Sequence, residues 1–118
     1  MYTDKLLDVI DPSRDIFDHV LYQNACYSFI KEDEDIHMLI KDISRFKNRN
    51  MKRSVLADSK HINFLMTPEN GLPIFPYEAQ ENYQGDKDVT LLTFIEEIED
   101  LRKMPDVRPY LESNYKVR

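Results

Sequence analysis

Glycine is nearly absent from this chain. Gly71 and Gly85 are the only two in 118 residues. A loop that cradles phosphate needs several glycines close together, so neither a Gly-x-Gly-x-x-Gly turn nor a Walker A loop is present. Cys26 is the single cysteine, which excludes an internal disulfide framework and a cysteine-rich zinc site. No apolar run approaches the roughly 20 residues that span a bilayer. The opening stretch, Met1-Tyr2-Thr3-Asp4-Lys5-Leu6-Leu7-Asp8, resembles neither a secretory signal nor an Arg-rich, acid-poor transit peptide. Import into an organelle is therefore expected to use an internal signal or one outside this numbering. Basic charge is in deficit: 16 Lys and Arg face 22 Asp and Glu, for a formal charge of −6. Phosphate backbones favour basic surfaces, so a nucleic-acid partner is not expected. There is no Gly-x-Ser-x-Gly elbow. His19, His37 and His61 lie far apart without metal-ligand spacing, and each is expected to be structural or exposed.

What remains is an ordinary globular composition, 42% hydrophobic and 32% charged. The length fits one domain, 1–118, with a real core. Leu6, Leu7 and Ile10 recur at helical spacing over Tyr2–Ile10, and Thr3 or Asp4 can cap the helix. Asp11-Pro12-Ser13 ends it. Ile10, Ile16, Phe17 and Val20 are expected in the core. His19–Tyr22 and Tyr27–Ile30 read as strands, and Ile36–Ile40 as a third. The acidic turn Lys31–Asp35 then closes a hairpin, with a helix over Glu34–Ile40 as the competing reading. That acidic run is expected to be a solvated turn rather than a cation site. Arg45, Lys47, Arg49, Lys52 and Arg53 form a basic segment, read as a solvated connection in preference to an anion patch. Ser54–Ala57, short and apolar, suits a buried parallel strand.

Phe64-Leu65-Met66 is another apolar run, closed by a turn at Thr67–Gly71 in which Asn70 or Gly71 can take a positive φ. Leu72–Pro76 reads as extended loop and Tyr77–Lys87 as surface loop. Leu91, Phe94, Ile95, Ile98 and Leu101 give the clearest helical face in the chain. Asp88 or Thr90 can cap that helix, a Glu99–Lys103 pair supports it, and Pro105 stops it. A short helical turn over Asp106–Leu111 and a fraying basic tail follow.

Two side chains carry the candidate chemistry. In open α/β sheets, ligands sit beyond the carboxyl ends of strands. Asp58 stands at such an end, after Val55-Leu56-Ala57 and before Ser59, where a carboxylate can coordinate Mg²⁺. Lys41, upstream, can meet an anion beside it. A lysine next to a metal-binding carboxylate is the electrostatic pair that phosphoryl transfer uses. Cys26 is expected to be a buried core thiol, since nothing nearby would lower its pKa.

Several segments in a fixed order resemble a known family. They are Leu39-Ile40-Lys41-Asp42-Ile43-Ser44-Arg45, Val55-Leu56-Ala57-Asp58-Ser59-Lys60, Pro68-Glu69-Asn70-Gly71, Leu91-Leu92-Thr93-Phe94-Ile95 and Asp106-Val107-Arg108-Pro109-Tyr110-Leu111. Together they are similar to the C-terminal half of the NLI-interacting-factor-like domain, the haloacid-dehalogenase-type fold of the RNA-polymerase-II tail phosphatases. Tyr22-Gln23-Asn24-Ala25-Cys26 fits a segment that normally reads aromatic-Arg-x-x-Cys. Within the family, Asp58-Ser59-Lys60 and Asp106-Val107-Arg108 look most like the presequence-receptor branch of the mitochondrial inner-membrane translocase.

The resemblance implies a fold, an α/β partial haloacid-dehalogenase-like (Rossmann-like) parallel sheet with a β-hairpin insertion, lacking the N-terminal catalytic strand. It also implies roles: Lys41 as the phosphate-facing lysine and Asp58 as the metal-binding acid, both vestigial. Ser59 stands where active members have asparagine. The family's catalytic motif, Asp-x-Asp-x-Thr/Val on the first strand, is read as absent from the chain, and Asp33-Glu34-Asp35 does not supply it. The second core strand is expected before Met1. Without a nucleophile aspartate, covalent phosphoryl transfer has no acceptor, so the chain is expected not to be an enzyme and to use no cofactor.

The expected function is a phosphatase-like binding or structural subunit of a mitochondrial inner-membrane assembly. That assembly would be the presequence import translocase, or a membrane complex to which the chain is an accessory. Nuclear or cytoplasmic placement is the alternative. Helical faces at Leu6/Leu7/Ile10 and Leu91/Phe94/Ile98 need a sheet to cover, so another protein subunit is expected to complete it. The chain would then be peripheral to the membrane complex, with no span of its own. The alternative function is the C-terminal half of a split Mg-dependent protein phosphatase, completed by a partner that brings the nucleophile.

Overall fold

The structure, a computed structural model, describes residues 2–75 and 89–115. It forms two compact units, residues 1–39 and 40–118, each taken here by itself. It is an α/β chain with a small parallel sheet and an antiparallel hairpin. No described helix is long and apolar enough to cross a membrane.

In the first unit, helix α1 spans Tyr2–Ile10 and buries Leu7, as its apolar spacing requires. Asp11 ends it. Its amide donates to the Leu7 carbonyl at 2.8 Å, and its Oδ1 accepts from the amides of Asp15 and Ile16 at 3.0 and 3.3 Å. Burial opposes the charge on Asp11, but these amides and Arg14 outweigh it and hold the carboxyl below its usual range. Arg14 takes a left-handed φ of 56°. Its guanidinium fixes that conformation by donating to the Asp11 carbonyl at 2.5 Å and the Asp8 carboxylate at 2.7 Å.

The hairpin pairs β1 (Tyr27–Lys31) with β2 (Ile36–Ile40), so the helical reading of Glu34–Ile40 is overturned. A 3₁₀ turn over Glu32–Glu34 joins the strands, and Asp35 supplies a left-handed φ of 52°. Aspartate tolerates that region better than most residues.

Further expectations fail in this unit. His19–Tyr22 is not a strand. Tyr22 precedes a 3₁₀ turn at Gln23–Ala25, and its hydroxyl donates to Asp4 Oδ1 at 2.6 Å. Ile10, Ile16 and Phe17 are not core: they are 48%, 64% and 47% exposed, and Val20 is half-buried. Periodicity marks a face as apolar, but it does not say what lies against that face.

In the second unit, β3 (Leu56–Asp58) pairs in parallel with β4 (Gly71–Pro73), register Leu56 to Gly71, Ala57 to Leu72 and Asp58 to Pro73. The parallel strand read at Ser54–Ala57 is therefore real, but it begins later and includes Asp58. The reading of Leu72–Pro76 as an extended loop misses that Leu72 and Pro73 belong to β4, and its Pro76 lies outside the described residues. Helix α2 (Thr90–Arg102) and helix α3 (Arg108–Tyr115) follow, the last longer than the turn expected there. Leu72, Leu101, Val107 and Leu111 form the buried core, with Val55, Phe94 and Ile98 against it. Leu91 and Ile95, expected on the packed face of α2, are 67% and 56% exposed. Leu56 and Phe64 form a second cluster with Ile43, and Tyr115 touches both clusters. Each fully buried leucine or phenylalanine stabilises the fold by about 1.5–3 kcal/mol.

The basic segment has a specific structural task. Arg53 donates to the carbonyls of Leu101, Arg102 and Met104, where α2 ends and its dipole is negative. The Lys52 carbonyl accepts from the Val107 amide at 2.9 Å. Glu99 pairs with Arg102 at 3.2 Å, one residue short of the Lys103 expected. The surface-loop reading of Tyr77–Lys87, the capping role of Asp88 and the end of the tail lie outside the described residues.

Gly71 is required for space, not for its backbone angle. Its φ is −83°, so the positive φ expected at Asn70 or Gly71 is absent. A Cβ there would meet Phe64 Cδ1 at 2.6 Å. Gly71→Ala is expected to push the buried Phe64 ring aside and destabilise the fold by about 1–3 kcal/mol, the usual cost of overpacking. A shift of the urea midpoint checks it.

Candidate functional site

The site gathers at the carboxyl end of β3. The strand places Asp58 there with its side chain only 9% exposed. Asp58 Oδ2 accepts from Lys41 Nζ at 2.6 Å and from Asn63 Nδ2 at 3.1 Å, and Oδ1 accepts from the Lys60 amide at 2.8 Å. The structure thus joins Lys41 and Asp58, the two side chains singled out in the sequence. Lys41 remains 49% exposed. Burial alone would raise the Asp58 pKa. The Lys41 bond, the Lys60 amide, the Lys41 charge and Asn63 together outweigh it and hold the carboxyl below its usual range.

The sequence did not point to Asn63. It lies in a 3₁₀ turn over His61–Phe64 and is 6% exposed. Its Oδ1 accepts from the Lys41 backbone amide at 3.2 Å, while its Nδ2 donates to Asp58. One side chain therefore ties the start of the Lys41 segment to the end of β3. A lone asparagine between Ile62 and Phe64 carries no pattern that would reveal this.

Chemically, the arrangement is an ammonium with further donors to offer, beside a carboxylate whose partners are all donors. It suits an anionic group on the Lys41 side. To a divalent cation it offers a single carboxylate, Asp58, which already faces the Lys41 ammonium. Among the described residues no group of three His, Cys, Asp or Glu could hold a metal.

The other candidates do not join this cluster. Cys26 is half-buried rather than a core thiol. His61 is exposed and meets the Phe64 ring edge-on at 6.0 Å. His19 is exposed, and the His37 side chain lies outside what is described. In the acidic turn, Glu34 pairs with Lys31 at 2.7 Å. Asp106 and Arg108 form a local pair, Nε to Oδ1 at 3.0 Å and Nη2 to Oδ2 at 3.1 Å, and Asp106 also accepts the Arg108 amide at the start of α3. That Asp-Val-Arg is a helix start, which explains its composition without a ligand.

One expectation needs correction on the sequence itself. The string Asp86-Lys87-Asp88-Val89-Thr90 does read Asp-x-Asp-x-Thr. Its aspartates lie outside the described residues, and Thr90 opens helix α2. It follows Lys41 and Asp58 in the chain and leads into a helix, whereas the family carries its motif on the first strand.

The model of a family described as NLI interacting factor-like phosphatase matches residues 1–108. The mitochondrial import inner membrane translocase subunit TIM50 of Candida glabrata is 28% identical over 118 residues, covering 100% of this chain and 22% of the relative. The CTD small phosphatase-like protein 2 of Dictyostelium discoideum is 31% identical over 117 residues, covering 99% of this chain and 18% of the relative. The TIM50 of Debaryomyces hansenii is 31% identical over 115 residues, covering 96% and 22% respectively. The chain therefore spans a small part of the length of each of these relatives.

Proposed function

Because the chain belongs to the NLI interacting factor-like phosphatase family, we propose that it is a non-catalytic, phosphatase-like binding subunit of a mitochondrial inner-membrane assembly. The observation that carries the reading is the Asp58–Lys41 pair: the carboxylate at the end of β3 is held by Lys41 at 2.6 Å and by two further donors. No Asp-x-Asp-x-Thr strand stands beside it among the described residues. The likeness to subunits named for the mitochondrial import inner membrane translocase supports the mitochondrial placement and a role in presequence import or an accessory role in a membrane complex. The fold is then a partial haloacid-dehalogenase-like sheet, and a partner subunit completes it beside the two parallel strands. Lys41 is a vestigial phosphate-facing group and Asp58 a vestigial metal-binding acid. The likeness to proteins named as phosphatases supports a second reading, in which a partner brings the nucleophile and Lys41 and Asp58 serve a split phosphatase.

Affinity capture of the tagged chain from fractionated cells, with mass spectrometry and a Mg²⁺-dependent aryl-phosphatase assay of the retained material, separates the two. The expected result is mitochondrial inner-membrane subunits without phosphatase turnover. Turnover that Lys41→Ala abolishes, together with a retained chain carrying a strand-borne Asp-x-Asp-x-Thr, overturns the first reading in favour of the second.

A further inference from the structure

Among the described residues, every polar contact of the Asp58 carboxylate comes from a donor. Lys41 Nζ and Asn63 Nδ2 share Oδ2, and the Lys60 amide takes Oδ1. Asn63 is the only one of these three that also grips the Lys41 backbone, through its Oδ1. Its two ends set the distance between the Lys41 segment and β3, and therefore where the ammonium can reach. Asn63 is 6% exposed, so water competes poorly for either bond. A divalent cation at Asp58 would have to displace or face the Lys41 ammonium, and the buried amide nitrogen beside it offers no lone pair.

We infer that Asn63 is a positioning residue that holds the Asp58 carboxylate against Lys41 and closes this site to divalent cations, making it an internal ion pair with an outward-facing ammonium. The inference rests on the geometry of these four residues and is independent of which partner the chain has. It assigns the exclusion of the metal to a side chain outside the Asp58-Ser59 motif. Asparagine is matched to both tasks, since its carbonyl accepts from the Lys41 amide and its NH₂ donates to the carboxylate. Aspartate at the same place could accept but not donate. It would set a second carboxylate beside Asp58, the arrangement that recruits a cation.

The test follows the Lys41, Asp58 and Lys60 amide resonances of the full chain while MgCl₂ is raised to about 20 mM, against KCl at matched ionic strength. In the native chain no saturable Mg²⁺-specific change is expected. Asn63→Asp is expected to give a saturable change at Lys60. Asn63→Ala is expected to speed exchange of the Lys41 amide by on the order of tenfold relative to amides of α2. A saturable change in the native chain, or a Lys41 amide unaltered in Asn63→Ala, overturns the inference. If Asn63→Ala fails to fold, Asn63→Ser, which keeps an acceptor and a donor on a shorter side chain, replaces it in the same comparison. Asn63→Ala, which removes the amide without adding a carboxylate, is also expected to give a saturable Mg²⁺ response, one that a merely structural asparagine would not produce.

Discussion

Leu72→Ala is expected to lower the stability of the chain by about 2–5 kcal/mol, the range for large-to-small substitutions at buried leucines. Leu72 is 1% exposed and sits in the middle of β4, facing Ala57 across the parallel pair. It belongs to the same cluster as Leu101 of α2 and Leu111 of α3. Alanine would leave a cavity where the strand and both helices meet, and three elements fixed by one another cannot all move in to fill it. Urea unfolding followed by circular dichroism measures the change. A loss below about 1 kcal/mol would mean that the strand and the helices are not packed around this residue. Leu91, 67% exposed on α2, is the control: Leu91→Ala should fall within about 0.5 kcal/mol of the native chain.

Asp58→Ala should cost about 1–3 kcal/mol at neutral pH, the penalty for leaving the buried Asn63 donor unpaired. The Lys60 amide and Asn63 Nδ2 lose their acceptor outright. Lys41, half exposed, returns its ammonium to water and contributes little to the loss. The effect carries a pH signature. Because the folded protein holds the Asp58 pKa below the reference value of 3.8, the unfolded chain binds more protons between the two values, and stability rises with pH through that window. The carboxylate's contribution is therefore complete above about pH 5. It is lost as the pH falls through 3.8 toward the depressed folded value. The difference between the native chain and Asp58→Ala should shrink over that descent. Equal differences at pH 7 and at acid pH would show that the pairing with Lys41, Lys60 and Asn63 contributes nothing to stability.

Much of this chain could be read from its residues. Leu6, Leu7 and Ile10 gave α1 because a helix brings those spacings to one side, and the apolar runs around Lys31–Asp35 gave the hairpin because strands need only local alternation and a turn. The family was legible because its segments keep their order: Lys41, Asp58, Pro68–Gly71 and Asp106–Arg108. Glycine scarcity excluded phosphate loops on composition alone.

Tertiary structure decided the rest. Strand β4 has three residues, one of them proline, and is too short to show a period. It is a strand because β3 pairs with it and because the Phe64 ring occupies the space a Cβ of residue 71 would need. Arg53 looked like surface charge until the end of α2 was brought to it. Ile16, Phe17 and Leu91 are apolar in sequence yet exposed in the fold, since hydrophobicity states a preference for burial and only a packed neighbour satisfies it. The sequence by itself singled out Lys41 and Asp58 as the candidates, because charge and position at a strand end are local properties. That they form one ion pair, fastened by Asn63 from five residues downstream, was decided by the fold, because a hydrogen bond depends on distance in space and not on distance along the chain.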